Sequence, residues 1–204
     1  MKTRFSKKDQ IYDKPESVLL ISGYGGLTYL AKDISQIIPR CKIYVEPFAG
    51  LGRIAKLVNS DKMILNDLSE YCVNFLTVNF PDAVITKEDF IDCIKRWDSE
   101  DTFFFIDPPW SKRIYQNHKE SCFTMPDVKS YYIHLFYWLP QLKGKWIITS
   151  DNAEMESKKA LSKSGYANRI LRAKDGSPRF YGHLPVVRLC SNFTLNDIME
   201  NREV

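Results

Sequence analysis

Two groups of residues in this chain have types and spacing that could do chemistry. The first is Asp107-Pro108-Pro109-Trp110, which directly follows the apolar run Phe103-Phe104-Phe105-Ile106. That run reads as a buried strand, and two prolines cannot continue it. Neither proline has an N–H for a sheet ladder, and each biases the residue before it toward extended backbone. The chain must leave the sheet in a stiff turn that presents a carboxylate, bare carbonyls and an aromatic ring at the strand's carboxyl end. Open α/β sheets bind their ligands at that edge. Such a group could hold an amino group beside an aromatic face.

The second group is Glu46-Pro47-Phe48-Ala49-Gly50-Leu51-Gly52-Arg53-Ile54-Ala55. Its G-x-G-x-x-A spacing lets backbone approach a ligand and is expected to aim the N–H groups of a following helix at it. Asp67, at the end of the next strand, stands near the distance at which an acid takes the two hydroxyls of a ribose. Nucleotide cofactors and S-adenosylmethionine both contain that ribose, so this half alone leaves a nicotinamide dehydrogenase open. Glu46 either contacts the ligand or caps the following turn. Asp89 and Phe90 either bracket an adenine ring or act as a helix N-cap and a core aromatic, and the first reading is preferred because they close the same edge as Asp67.

These residues need a scaffold, and strand and helix patterns alternate to supply one. Strands are expected from Ile43 to near Phe48, at 63–65, 83–86, 102–106 and 145–149. Helices are expected at 52–59, 70–78, 90–96, 128–139 and 153–163, with a further helical stretch at 17–38 broken by Ser22-Gly23-Tyr24-Gly25-Gly26. The β-like runs 169–171 and 186–189 lack a helix between them and read as a hairpin. The fold class is therefore α/β: a Rossmann-like, mostly parallel twisted sheet with helices on both faces and a C-terminal antiparallel hairpin.

The bulk numbers are consistent with that frame. At 204 residues the chain suits one domain over 1–204, with residues 1–14 expected as a flexible tail. Hydrophobic residues at 44% and charged residues at 26% are ordinary for a globular protein. The net charge of +4 suits a polyanionic partner without requiring one. Five scattered cysteines, never spaced C-x-x-C, read as reduced thiols with neither disulfide framework nor metal site. With no apolar leader and no membrane-length run, a cytoplasmic protein that does not engage membranes is expected.

Taken together and in order, the glycine loop and the D-P-P-W tetrapeptide resemble the amino-methyltransferases that use S-adenosylmethionine. Within that group the chain is most similar to the D12-type DNA adenine-N6 methyltransferases. Their G-G motif resembles Gly25-Gly26, their V-E-P-F-x-G-x-G loop is matched by Val45 to Gly52, and Thr149-Ser150-Asp151-Asn152 resembles the polar motif after their fifth strand. The resemblance implies S-adenosylmethionine as cofactor, held by Tyr24, Gly25, Gly26, Glu46, Pro47, Phe48, Gly50, Gly52, Asp67, Leu68, Asp89, Phe90 and Asp107. It implies Asp107, Pro108, Pro109 and Trp110 as catalytic residues.

The exocyclic amine of adenine is a poor nucleophile, because its lone pair is delocalised into the ring. The Asp107 carboxylate and Pro108 carbonyl could accept its two N–H bonds and localise that pair while Trp110 stacks on the extruded base. Positioning and electrostatics then suffice, without a metal. An Asp in the first position favours adenine N6 over cytosine N4.

The chain departs from the family pattern in two places. Leu27 stands where the family carries Lys, and the interval from Asp89 to Asp107 leaves no room for a target-recognition insert. A core without that insert implies dimerisation, a partner specificity subunit or low sequence specificity. Two basic–aromatic segments are expected to meet nucleic acid: Lys112, Arg113, Tyr115 and Lys119 in one, Arg172, Lys174, Arg179 and Tyr181 in the other. DNA is the favoured partner. RNA is the alternative, because relatives acting on RNA adenosine also carry D-P-P-W. A non-catalytic nucleic-acid-binding scaffold of the same fold is a further alternative, which the intact tetrapeptide disfavours.

Overall fold

The computed structural model describes residues 31–108, 134–150, 167–170 and 188–193. Its elements run α1 (Ala31–Ser35), β1 (Cys41–Glu46), β2 (Ser60–Asn66), α2 (Glu70–Asn79), β3 (Val84–Thr86), α3 (Phe90–Trp97), β4 (Thr102–Ile106), β5 (Lys145–Ser150), β6 (Ala167–Ile170) and β7 (Arg188–Ser191). The sheet order is β3-β2-β1-β4-β5-β7-β6. The first five strands pair in parallel, and β7 runs antiparallel to both β5 and β6. The connection between β6 and β7 lies outside the described residues, as does the helix expected at 153–163.

β4 is buried at all five positions because it lies mid-sheet with cover on both faces. On one face, Tyr44, Leu65, Phe103, Phe105 and Ile147 pack with Ile34 of α1 and Leu76 of α2. On the other, Val45, Ile64, Phe104, Ile106, Trp146 and Ile148 pack with Phe90, Cys93 and Ile94 of α3 and with Leu135 and Leu139. The i, i+3, i+4 spacing of the three α3 residues places them on one stripe of that helix. Residues 134–138 are helical and end in a 3-10 turn at Leu139–Gln141, which carries a proline. Among the described residues no helix is long and apolar enough to cross a membrane.

One expected element is overturned. Residues 52–59 form no α-helix, only a 3-10 turn at Ala55–Leu57. Gly52 has φ +64, outside the helical region, and Val58 is already extended. β2 also starts at Ser60, where it pairs with Cys41, so the room for a helix is consumed by strand. Nor can Gly52 be replaced freely. A Cβ there would lie 2.6 Å from the Phe80 ring and 3.0 Å from Leu76.

Candidate cofactor and catalytic edge

Side chains alternate along a strand, so each residue shares a face with the one two places before it. Glu46 follows Tyr44 in this way, Asp67 follows Leu65, Asp107 follows Phe105 and Thr149 follows Ile147. All four apolar residues belong to one core cluster. Their strands are the consecutive neighbours β2-β1-β4-β5. The pleat therefore sets three acids and a hydroxyl in a row on one face of the carboxyl edge, directly beyond the core.

Asp67 anchors the glycine loop. Its Oδ2 accepts from the Gly50 N–H at 2.8 Å and its Oδ1 from the Ser69 N–H at 2.9 Å. The Ala49 N–H bonds to the Asn66 carbonyl at 2.8 Å, and Gly50 and Gly52 take φ of 53 and 64. Only glycine adopts such angles without strain. Burial raises the Asp67 pKa, opposed by hydrogen bonds from Ser69, Gly50 and Cys72. Each carboxylate oxygen has a second lone pair, so anchoring the loop and accepting ribose hydroxyls are compatible. Leu68, beside it, is exposed.

Asn66 did not emerge as a site residue from the sequence. It is 1% exposed and makes four hydrogen bonds. Its Nδ2 donates to the Pro47 and Glu88 carbonyls, both at 3.0 Å, and its Oδ1 accepts from the Thr86 hydroxyl at 2.8 Å and the Glu88 N–H at 3.0 Å. One amide thus ties together the exits of β1 and β3. The available signal was a polar residue poorly suited to strands placed just before the acid.

Glu46 is 2% exposed. It accepts from the Tyr44 hydroxyl at 2.6 Å, and the Ala55 backbone N–H also favours its charged form. Burial, aided by the nearby Asp107 charge, pushes its pKa up to about 8 despite those two donors. Asp107 stands just past β4, half-buried, and accepts a hydrogen bond from the Thr149 hydroxyl. Pro108 is buried behind it, while Pro109 and Trp110 lie outside the described residues.

Asp89 is exposed and caps α3 by accepting from the Ile91 N–H at 2.8 Å. Phe90 is buried in the core, with its ring centroid 5.2 Å from that of Phe48. The core reading of Phe90 therefore holds. The helix N-terminus expected after the glycine loop is missing, because the 3-10 turn replaces it. Tyr24, Gly25, Gly26, Lys112, Arg113, Tyr115, Lys119, Arg172, Lys174, Arg179 and Tyr181 lie outside the described residues.

Residues 24–88 match the family model of the D12 class N6 adenine-specific DNA methyltransferases. The cofactor half of the edge is thus similar to that of a methyltransferase family. The glycine loop, Asn66 and Asp67 all fall inside that span, which separates the loop from the dehydrogenase loops of similar spacing. No curated protein sequence matches the chain.

Solved structures are similar over most of its length. An rRNA methylase from Streptococcus thermophilus covers 80% of this chain and 93% of its own at 10% identity and a TM-score of 0.52. A precorrin 8w decarboxylase from Methanobacterium thermoautotrophicum covers 83% and 90% at 10% identity and 0.52. A Streptococcus mutans protein assigned as a methyltransferase, solved in complex with SAH, covers 81% and 97% at 12% identity and 0.50. At these identities the likeness is one of fold, a Rossmann-like, mostly parallel sheet. A fold of this kind carries different chemistries, so the fold alone leaves the acceptor open.

Proposed function

We propose that this chain transfers a methyl group from S-adenosylmethionine to the N6 amine of adenine in DNA. The residues present fit that cofactor. Gly50 and Gly52 open the backbone, Asp67 keeps acceptor capacity for ribose hydroxyls, and Glu46 and Asp107 offer carboxyl groups to a cationic amino-acid tail. When bound, S-adenosylmethionine supplies an electrophilic methyl on a sulfonium.

The observation that carries the reading is the placement of Asp107. It follows β4, the hydrogen-bonded neighbour of the strand that launches the glycine loop, and it stands on the same face as Glu46. A carboxylate there accepts one N–H of an incoming amine, and the Pro108 carbonyl is the natural acceptor for the other. Both bonds favour the pyramidal nitrogen over the planar one, and both are fixed before the substrate arrives. Trp110 is assigned to stack on the base. The cation–aromatic segments at 112–119 and 172–181 are assigned to the phosphate backbone, with a second copy or a partner subunit supplying target choice.

Adenine in RNA is the second reading, favoured by the Trp in the tetrapeptide. The test is methyl transfer to matched single-stranded DNA, duplex DNA and RNA, with the product nucleosides identified by mass spectrometry. N6-methyldeoxyadenosine supports the proposal, and N6-methyladenosine in RNA alone replaces it with the second reading. Methyl groups only on cytosine or on small molecules refute both.

A further inference from the structure

Thr149 is buried at 0% exposure, yet it is polar and sits inside a strand beyond the matched family span. Its place follows from register. β4 and β5 pair Phe104 with Trp146, Phe105 with Ile147 and Ile106 with Ile148, so the next rung sets Asp107 beside Thr149 on the same face. β5 is an interior strand, and Thr149 also pairs with Leu189 of β7 on its other side. A β-branched side chain on a strand held from both sides has little χ1 freedom.

Asp107 is differently placed. It lies beyond the last residue of β4, and the two prolines after it bring no N–H to the ladder. The Thr149 hydroxyl that donates to Asp107 Oδ1 therefore joins a rigid post to a carboxylate at the point where the chain leaves the sheet.

We propose that Thr149 is a positioning residue for the transfer reaction: its hydroxyl fixes the rotamer of Asp107 so that the carboxylate meets the target amine already oriented. This rests on the role assigned to Asp107 above. The hydroxyl touches neither methyl donor nor acceptor. Its effect is to remove a reorientation that Asp107 would otherwise undergo in each turnover. Loss of one hydrogen bond to a charged group corresponds to about ten- to hundredfold in rate when it acts only on the reacting geometry.

The test compares Thr149→Val, which keeps the shape and removes the donor, with Thr149→Ser, which keeps the donor, and with Asp107→Ala as the reference. Methyl transfer to adenine oligonucleotides and calorimetric binding of S-adenosylmethionine are measured for each. The expectation is a kcat lowered about ten- to hundredfold in Thr149→Val with cofactor affinity weakened far less, and recovery in Thr149→Ser to within about threefold of the parent. A merely structural threonine would lower cofactor binding and stability together and would not separate the two variants. Parental kcat in Thr149→Val with Asp107→Ala inactive overturns the positioning role and leaves the role of Asp107 standing. Parental activity in Asp107→Ala overturns both.

Discussion

Glu46 offers a perturbation whose size and sign come from its surroundings. Its carboxyl is buried and pushed from the ordinary 4.5 up to about 8, first by burial and then by the Asp107 charge. A raised acid holds its proton in the folded state after the unfolded chain has released it. Its contribution to stability is therefore complete below pH 4.5 and is lost as pH rises through about 8, where the loss levels off. At about 1.4 kcal/mol per pH unit, that window has a ceiling of about 5 kcal/mol, and even half of it is a large share of a domain's stability.

Glu46→Gln keeps the size and the acceptor oxygen and removes the ionisation. Urea unfolding of both proteins at pH 5, 7 and 9 gives the difference curve, from which groups common to both, Asp67 included, drop out. The variant is expected to match the parent near pH 5 and to exceed it by a few kcal/mol at pH 9. Parallel stability curves across the whole range would show that Glu46 is not held protonated in the folded chain.

Gly52→Ala forces a side chain into a positive-φ position and against the Phe80 ring, so a loss of about 2–4 kcal/mol in chemical denaturation is expected, with weaker cofactor binding. Asn66→Asp sets an oxygen against the Pro47 and Glu88 carbonyls, and a loss of about 3 kcal/mol or more is expected in the same assay. Asp67→Asn turns an acceptor of two backbone N–H groups into a group that satisfies one of them, and calorimetry should show S-adenosylmethionine affinity reduced about tenfold or more. Cofactor affinity in the parent should rise with pH toward and through about 8 as Glu46 ionises against a cationic ligand, and Glu46→Gln should flatten that dependence.

Much of the scaffold was legible because parallel strands and amphipathic helices leave strong local patterns. β4 ends where its apolar run does, and α2 and α3 start after the capping residues Ser69 and Asp89. The acids at the strand ends were legible for a similar reason, since each stands at or just past the end of a strand with an apolar core. The turn after the glycine loop was not. Leu51 to Asn59 has helix-like composition, and only the long pairing of β1 with β2 shows that no length remains for a helix. Asn66 and Thr149 were opaque in their roles because those roles are tertiary. An asparagine becomes a clamp only when β3 comes alongside, and a threonine holds Asp107 only through the register of β4 with β5. Phe90 was read from the sequence as bracketing an adenine ring with Asp89; its burial in the core beside Phe48 is a tertiary fact that its sequence neighbours do not signal.

The most direct measurement is methyl transfer by the parent and Asp107→Ala, on adenine-containing DNA and RNA of one sequence, with cofactor binding followed in parallel. The parent is expected to yield N6-methyldeoxyadenosine, and the variant a kcat reduced about a hundredfold or more with cofactor affinity weakened far less. Undiminished turnover in Asp107→Ala, or product methylated at a position other than adenine N6, would contradict that expectation.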